Sequence, residues 1–247
     1  MLTKNELIDL AKYNNLSPWQ QEKHYLQSIA LTALAQQPLI FKGGTYLWFF
    51  HGLQRFSEDL DFTAKETIDE NIAKDVSKII EMQGVENSYK ITTQNDIGFS
   101  FRISAQGPLY EKPISACYLY VEISKRENIL KSPSSFSLKT MYNLPIKIIS
   151  GMALEEVVSE KVRAIMTRDK ARDIFDLNFL IKEKNICFNE SLIQKKLDYY
   201  NEDFSKAKFE KKLKEKKVIY KPELKSLVFN DLEKFEKIEK NILGWMG

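Results

Sequence analysis

The sequence predicts an α/β (α+β) fold, a mixed sheet flanked by helices, with a helical bundle at the C-terminus. Three observations carry that reading. Apolar residues recur at helical spacing at both ends of the chain. Between about residues 88 and 150 the chain turns β-rich, in short runs separated by Gly, Pro and Ser. Within the first quarter, a short apolar strand runs through Gly43-Gly44 straight into another helical pattern.

Taken in order, Thr3 caps a first helix whose apolar side is Leu7, Ile8 and Leu10. "SPWQQEKHYLQSIALTALAQ" reads as a second helix, with Ser17 as cap and Pro18 at the first position. "PLIFK" is a buried strand, "TYLWFFHGL" the helix after the Gly-Gly turn, and "EDLDFT" the next strand. A helix follows from about Ile68 to Gln83. "SYKITTQ", "GFSFRIS", "CYLYVEIS" and "LPIKIIS" then form an antiparallel-leaning sheet, and "KSPSSFS" reads as a loop. From Ala153 the pattern is helical almost to the end, with Pro222 opening the last long helix. The expected domains are 1–184 and a helical 185–247.

The bulk properties narrow the class. The chain has 247 residues, 43% of them hydrophobic and 29% charged, with a net charge of +3. That is an ordinary globular composition rather than a polycation. Cys117 and Cys187 have no CxxC spacing, which fits a reducing cytoplasm better than a disulfide framework or a zinc knuckle. No apolar run reaches the roughly 18 residues of a spanning helix, and the N-terminus lacks a signal peptide's apolar stretch. A cytoplasmic protein is expected. His24 and His51 lack partners at zinc-ligand spacing, and "KGGT" is not a P-loop because no GKS or GKT follows.

The Gly-Gly turn places backbone N–H groups, bare of side chains, at the positive end of a helix, which suits an anion such as phosphate. Thr45 adds a hydroxyl. Taken alone, a strand–Gly–helix turn is more often empty. Asp59 and Asp61, two residues apart, share one face of the following strand. Such a pair near a phosphate cradle can hold Mg²⁺, which also supplies the positive charge the two carboxylates need. Glu122 in "YLYVEIS" can join them if its strand is adjacent, allowing two metals; otherwise it sits on a solvated sheet face.

Farther along, Leu154, Val157, Val158, Val162 and Ile165 form an apolar helical stripe. Lys161 falls inside that stripe and Arg168 on the same side. A buried ammonium needs an anion. On the next helix Asp173 and Asp176 point the same way as Leu177, Phe179 and Leu180. The residues leave two readings open: an active-site cluster, or an internal ion-pair network joining two helices.

"KGGTYLWFFHGLQRFSEDLDF" together with "EKVRAIMTRDKARDIFDL" resembles the AbiEii/MenT group of nucleotidyltransferase-like toxins, within the DNA polymerase β-type nucleotidyltransferase superfamily. The likeness spans about residues 35 to 180. It implies a polymerase-β-like core that transfers a nucleoside monophosphate from an NTP with Mg²⁺. On that basis Asp59, Asp61, Lys161 and Asp176 are catalytic, and Asp59, Asp61 and Glu122 bind metal. Gly43, Gly44, Thr45, Ser57, Lys161 and Arg168 bind the nucleotide. The resemblance further implies a toxin with an RNA acceptor, a tRNA 3′ end for instance, and a cognate antitoxin protein. Two departures stand out, Thr45 where Ser is common and Glu122 where Asp is common. A small-molecule nucleotidyltransferase and a non-catalytic nucleotide-binding member remain the rival readings. The run "KAKFEKKLKEKK", residues 206 to 217, has seven lysines against two glutamates and is either a solvated helix face or a contact for RNA phosphates.

Overall fold

A computed structural model describes residues 1–69 and 71–247. The helices are α1 (Lys4–Tyr13), α2 (Pro18–Leu34), α3 (Gly43–His51), α4 (Ile72–Met82), α5 (Leu154–Thr167), α6 (Arg172–Lys184), α7 (Glu190–Asp198), α8 (Lys206–Glu215), α9 (Lys217–Leu224) and α10 (Phe235–Trp245). The strands are β1 (Leu39–Lys42), β2 (Leu60–Ala64), β3 (Asn87–Gln94), β4 (Gly98–Ala105), β5 (Cys117–Ser124), β6 (Ser134–Leu138) and β7 (Lys147–Gly151). They form one mixed sheet in the order β3-β4-β5-β2-β1-β7-β6. The β2–β5 and β1–β7 pairs are parallel and the others antiparallel.

The chain divides into two compact units. The first contains residues 1–46, 58–128 and 133–151, and so holds the whole sheet. Its helices start as their caps dictate. Glu6 accepts from the Thr3 N–H while its own N–H donates to the Thr3 hydroxyl, and Gln20 accepts from Ser17 ahead of Pro18. Strands β4 and β5 alternate strictly. Phe99, Phe101 and Ile103 with Leu119, Val121 and Ile123 are buried on one face, the side of the sheet on which α2 and α4 pack. Leu26, Ile29 and Ala30 from α2 and Val76 and Ile80 from α4 complete that core.

The second unit contains residues 47–57, 129–132 and 152–247. Helix α5 packs against α6, α7 and α8. The segment after α3 is pinned within this unit by the Phe56 N–H donating to Leu227 and the Phe229 N–H donating to Gln54, at 2.8 and 3.2 Å. The 184/185 boundary expected from the sequence falls inside this unit, between α6 and α7.

Two local expectations are corrected. Part of "KSPSSFS" is not loop but strand β6, paired antiparallel with β7. It lies at the sheet edge, where only Leu138 is buried, so it carries no alternating apolar signal. Pro222 does not open the last long helix; it lies inside the short α9, and α10 begins at Phe235. Among the described residues, no helix is long and apolar enough to cross a membrane.

Candidate active site

The first unit brings Gly43, Gly44, Thr45, Asp59, Asp61 and Glu122 into one neighbourhood. Gly43 opens α3 with φ +76°, a left-handed backbone that favours glycine. Space demands glycine as well: a Cβ there would stand 2.2 Å from Asp61 Oδ2. The Gly-Gly turn and the Asp61 carboxylate are therefore in direct apposition. Thr45 is fully buried, and its hydroxyl donates to the Asp59 backbone carbonyl at 2.5 Å. That bond ties the first turn of α3 to the start of the acidic strand and leaves backbone N–H groups as the donors a helix start offers to an anion.

The start of α3 is itself anchored. Tyr46 is fully buried and packs edge-on against Phe41 and Phe136. Its ring lies across Gly151, where a Cβ would stand 2.4 Å from the ring.

Register orders the acids. Asp61 on β2 pairs with Lys42 on β1 and with Glu122 on β5, and Glu122 in turn pairs with Ser100 on β4. Adjacent strands lie about 4.8 Å apart, so Lys42, Asp61, Glu122 and Ser100 form a row across four strands on one face. Asp59 immediately precedes β2. No group of three or more His, Cys, Asp or Glu side chains already stands at metal-holding spacing among the described residues. The chemistry of this row, carboxylate oxygens beside a glycine turn, suits a hard divalent cation. Lys42 was missed by sequence reasoning; its signal was a cation ending a wholly buried strand.

The other expected residues lie in the second unit. Lys161 on α5 is buried, with Nζ 2.9 Å from Asp173 and 2.6 Å from Asp176 on α6. Arg55, also buried, clamps Asp176 through Nε and Nη2 at 2.6 and 2.7 Å. Arg168 clamps Asp173 in the same two-pronged way at 2.8 and 2.9 Å, with about half of its side chain exposed. Burial alone would raise both carboxyl pKa values, but Lys161 with Arg168, and Arg55 with Lys161, outweigh it and hold both acids below the usual range. Burial likewise opposes the Lys161 charge, and Asp173 and Asp176 overcome it. Ser57 is buried in the same unit. Arg55 was missed by sequence reasoning: it sits between Gln54 and Phe56 with its partner 121 residues away.

The lysine run occupies α8 and the start of α9, and its charges are largely paired. Lys208, Lys212, Lys214 and Lys217 meet Glu202, Glu215, Glu210 and Glu236, while Lys216 is buried beside Asp169. These pairs support the reading of the run as a solvated helix face.

A sheet-based core with a glycine turn facing an acidic strand fits the nucleotidyltransferase resemblance of the sequence, and comparison with known proteins agrees. The model of the nucleotidyl transferase AbiEii toxin family, type IV toxin–antitoxin system, matches residues 24–240, and the chain belongs to that family. It is accordingly a nucleotidyltransferase of a toxin–antitoxin family. Among solved structures it is similar to JHP933 from Helicobacter pylori, with 25% identity and TM-score 0.68 over 94% of this chain and 91% of that one. The nucleotidyltransferase toxin MenT4 from Mycobacterium tuberculosis shares the fold, with 18% identity and TM-score 0.65 over 100% of this chain and 89% of that one. No curated protein matches the sequence.

Proposed function

We propose that the protein transfers a nucleoside monophosphate from an NTP to a hydroxyl of RNA, at the 3′ end of a tRNA, as a cytoplasmic toxin restrained by a cognate antitoxin. The observation that carries this reading is the close approach of Gly43 to the Asp61 carboxylate. It sets an anion-binding helix start against the acids that would hold a metal. Asp59, Asp61 and Glu122 would hold Mg²⁺, which supplies charge stabilisation at the reacting phosphate. The backbone of Gly43, Gly44 and Thr45 cradles the triphosphate. Lys161, Arg168 and Ser57 are assigned to the nucleotide, and Asp176 positions Lys161. The acceptor oxygen attacks the α-phosphorus in line and a new P–O bond forms. The bond to the β-phosphate oxygen breaks, pyrophosphate leaves with the electron pair, and the hydroxyl proton is lost to solvent.

The test incubates the protein with each labelled NTP, Mg²⁺ and total RNA. Label should enter a discrete RNA band. Asp59→Ala and Asp61→Ala should lower transfer by roughly a thousandfold or more while melting like the parent, since a lost metal site removes several kcal/mol of barrier lowering. Near-normal transfer by either variant would overturn the metal assignment. Label appearing only in a small molecule would overturn the RNA acceptor.

A further inference from the structure

The face of the sheet that carries Asp61 and Glu122 continues past them. On β5, Tyr118 and Tyr120 share that face with Glu122 and are 37% and 39% exposed. Rows across the strands place Arg102 on β4 beside Tyr120, and Lys90 on β3 beside Arg102. The Arg102 guanidinium lies 4.8 Å from the Tyr118 ring centroid. Its Nε is buried and has no hydrogen-bond partner. Among the described residues, neither Arg102 nor Lys90 meets a carboxylate. On β4 and β5 the opposite face is buried apolar core, so this row of two rings and two cations has no part in it.

Two flat rings beside cations that meet no carboxylate are what single-stranded nucleic acid needs. Bases stack on the rings whatever their sequence, and phosphates meet the cations. An apolar partner would find no use for Arg102 and Lys90. A paired duplex hides the base faces that Tyr118 and Tyr120 would engage. The rise of about 3.3 Å per residue puts Tyr120 about 7 Å and Tyr118 about 13 Å from Glu122 along β5.

We propose that this open face is the docking platform for the single-stranded 3′ end of the RNA acceptor. It rests on the transfer reading above and gives it a place for the acceptor. The last bases stack on Tyr120 and Tyr118, Arg102 and Lys90 hold the phosphates, and the terminal hydroxyl reaches the acidic row.

The test measures binding of a fluorescent single-stranded RNA across a salt series, beside a duplex of the same sequence and polyglutamate as an acidic polypeptide probe. Tyr120→Ala should weaken single-strand binding by roughly five- to a hundredfold, and Tyr120→Phe should retain it. Arg102→Gln and Lys90→Gln should each flatten the salt slope by about 0.7. Mg²⁺–NTP binding should stay at the parent value in all four. Parent-like affinity in Tyr120→Ala with unchanged slopes in both Gln variants would overturn the platform, even if Asp61→Ala abolishes transfer and so upholds the active site. Polyglutamate displacing the RNA at equal charge, and lost in the same variants, would reassign the face to an acidic protein and also overturn it. A parent protein that binds single strands through these residues yet never extends them would keep the platform and end the transfer reading.

Discussion

A single atom decides what Gly43 can be. Its backbone has φ +76°, and the place a Cβ would take is 2.2 Å from an Asp61 oxygen, far inside van der Waals contact. Gly43→Ala must therefore either push Asp61 out of its row or abandon the turn. We expect transfer to fall by at least a hundredfold, with a loss of about 1–3 kcal/mol in stability from the strained backbone. Gly52, equally left-handed but with open space around it, is the control: Gly52→Ala should lose stability alone. Activity assays and urea melts on both variants separate the two effects. This much of the site was legible because glycine, threonine and aspartate act on near neighbours in the chain. Arg55 was not, because nothing local shows that a cation at that position has its carboxylate on a helix 121 residues later.

At the scale of elements, α5 and α6 are joined by charge as well as by apolar packing. Each buried acid has its own arginine, Arg55 for Asp176 and Arg168 for Asp173, and Lys161 bridges the two. The order of cost follows. Asp176→Ala strands the fully buried Arg55 without its carboxylate and should cost about 3–5 kcal/mol. Lys161→Met leaves both acids clamped and should cost markedly less. Chemical denaturation of the two variants measures the difference, and NTP titration of Lys161→Met then reports its proposed nucleotide role with the fold intact. The helices themselves were readable from their apolar stripes and from cations and acids lying within them. Strand β6 was not, because an exposed edge strand owes its existence to β7 rather than to its own pattern.

Acid tests the molecule as a whole, since each unit carries one histidine held neutral. Burial pushes the pKa of His24, beside the Tyr142 hydroxyl, down to about 4. His51 is lowered to about 4 by burial and then by Lys184. Between pH 6.5 and 4 the unfolded chain binds protons that the folded chain refuses, so stability rises with pH through this window. It is fully present above about 6.5 and lost as pH falls to 4. His24 should contribute about 3 kcal/mol, and the half-buried His51 less. Melts at pH 7, 6 and 5 should show the decline, and His24→Gln should flatten it. The division into two units could not be read from composition or linkers, because each unit is assembled from separated stretches of chain.

That interleaving reaches back to synthesis. Residues 47–57 leave the ribosome before the acidic strand does, yet the unit they belong to is completed only by helices that begin at residue 154. Arg55 is therefore synthesised more than a hundred residues ahead of the Asp176 carboxylate it clamps. No single cut yields either unit as one continuous fragment. A chain released before residue 176 would carry Arg55 without the carboxylate that clamps it in the finished fold.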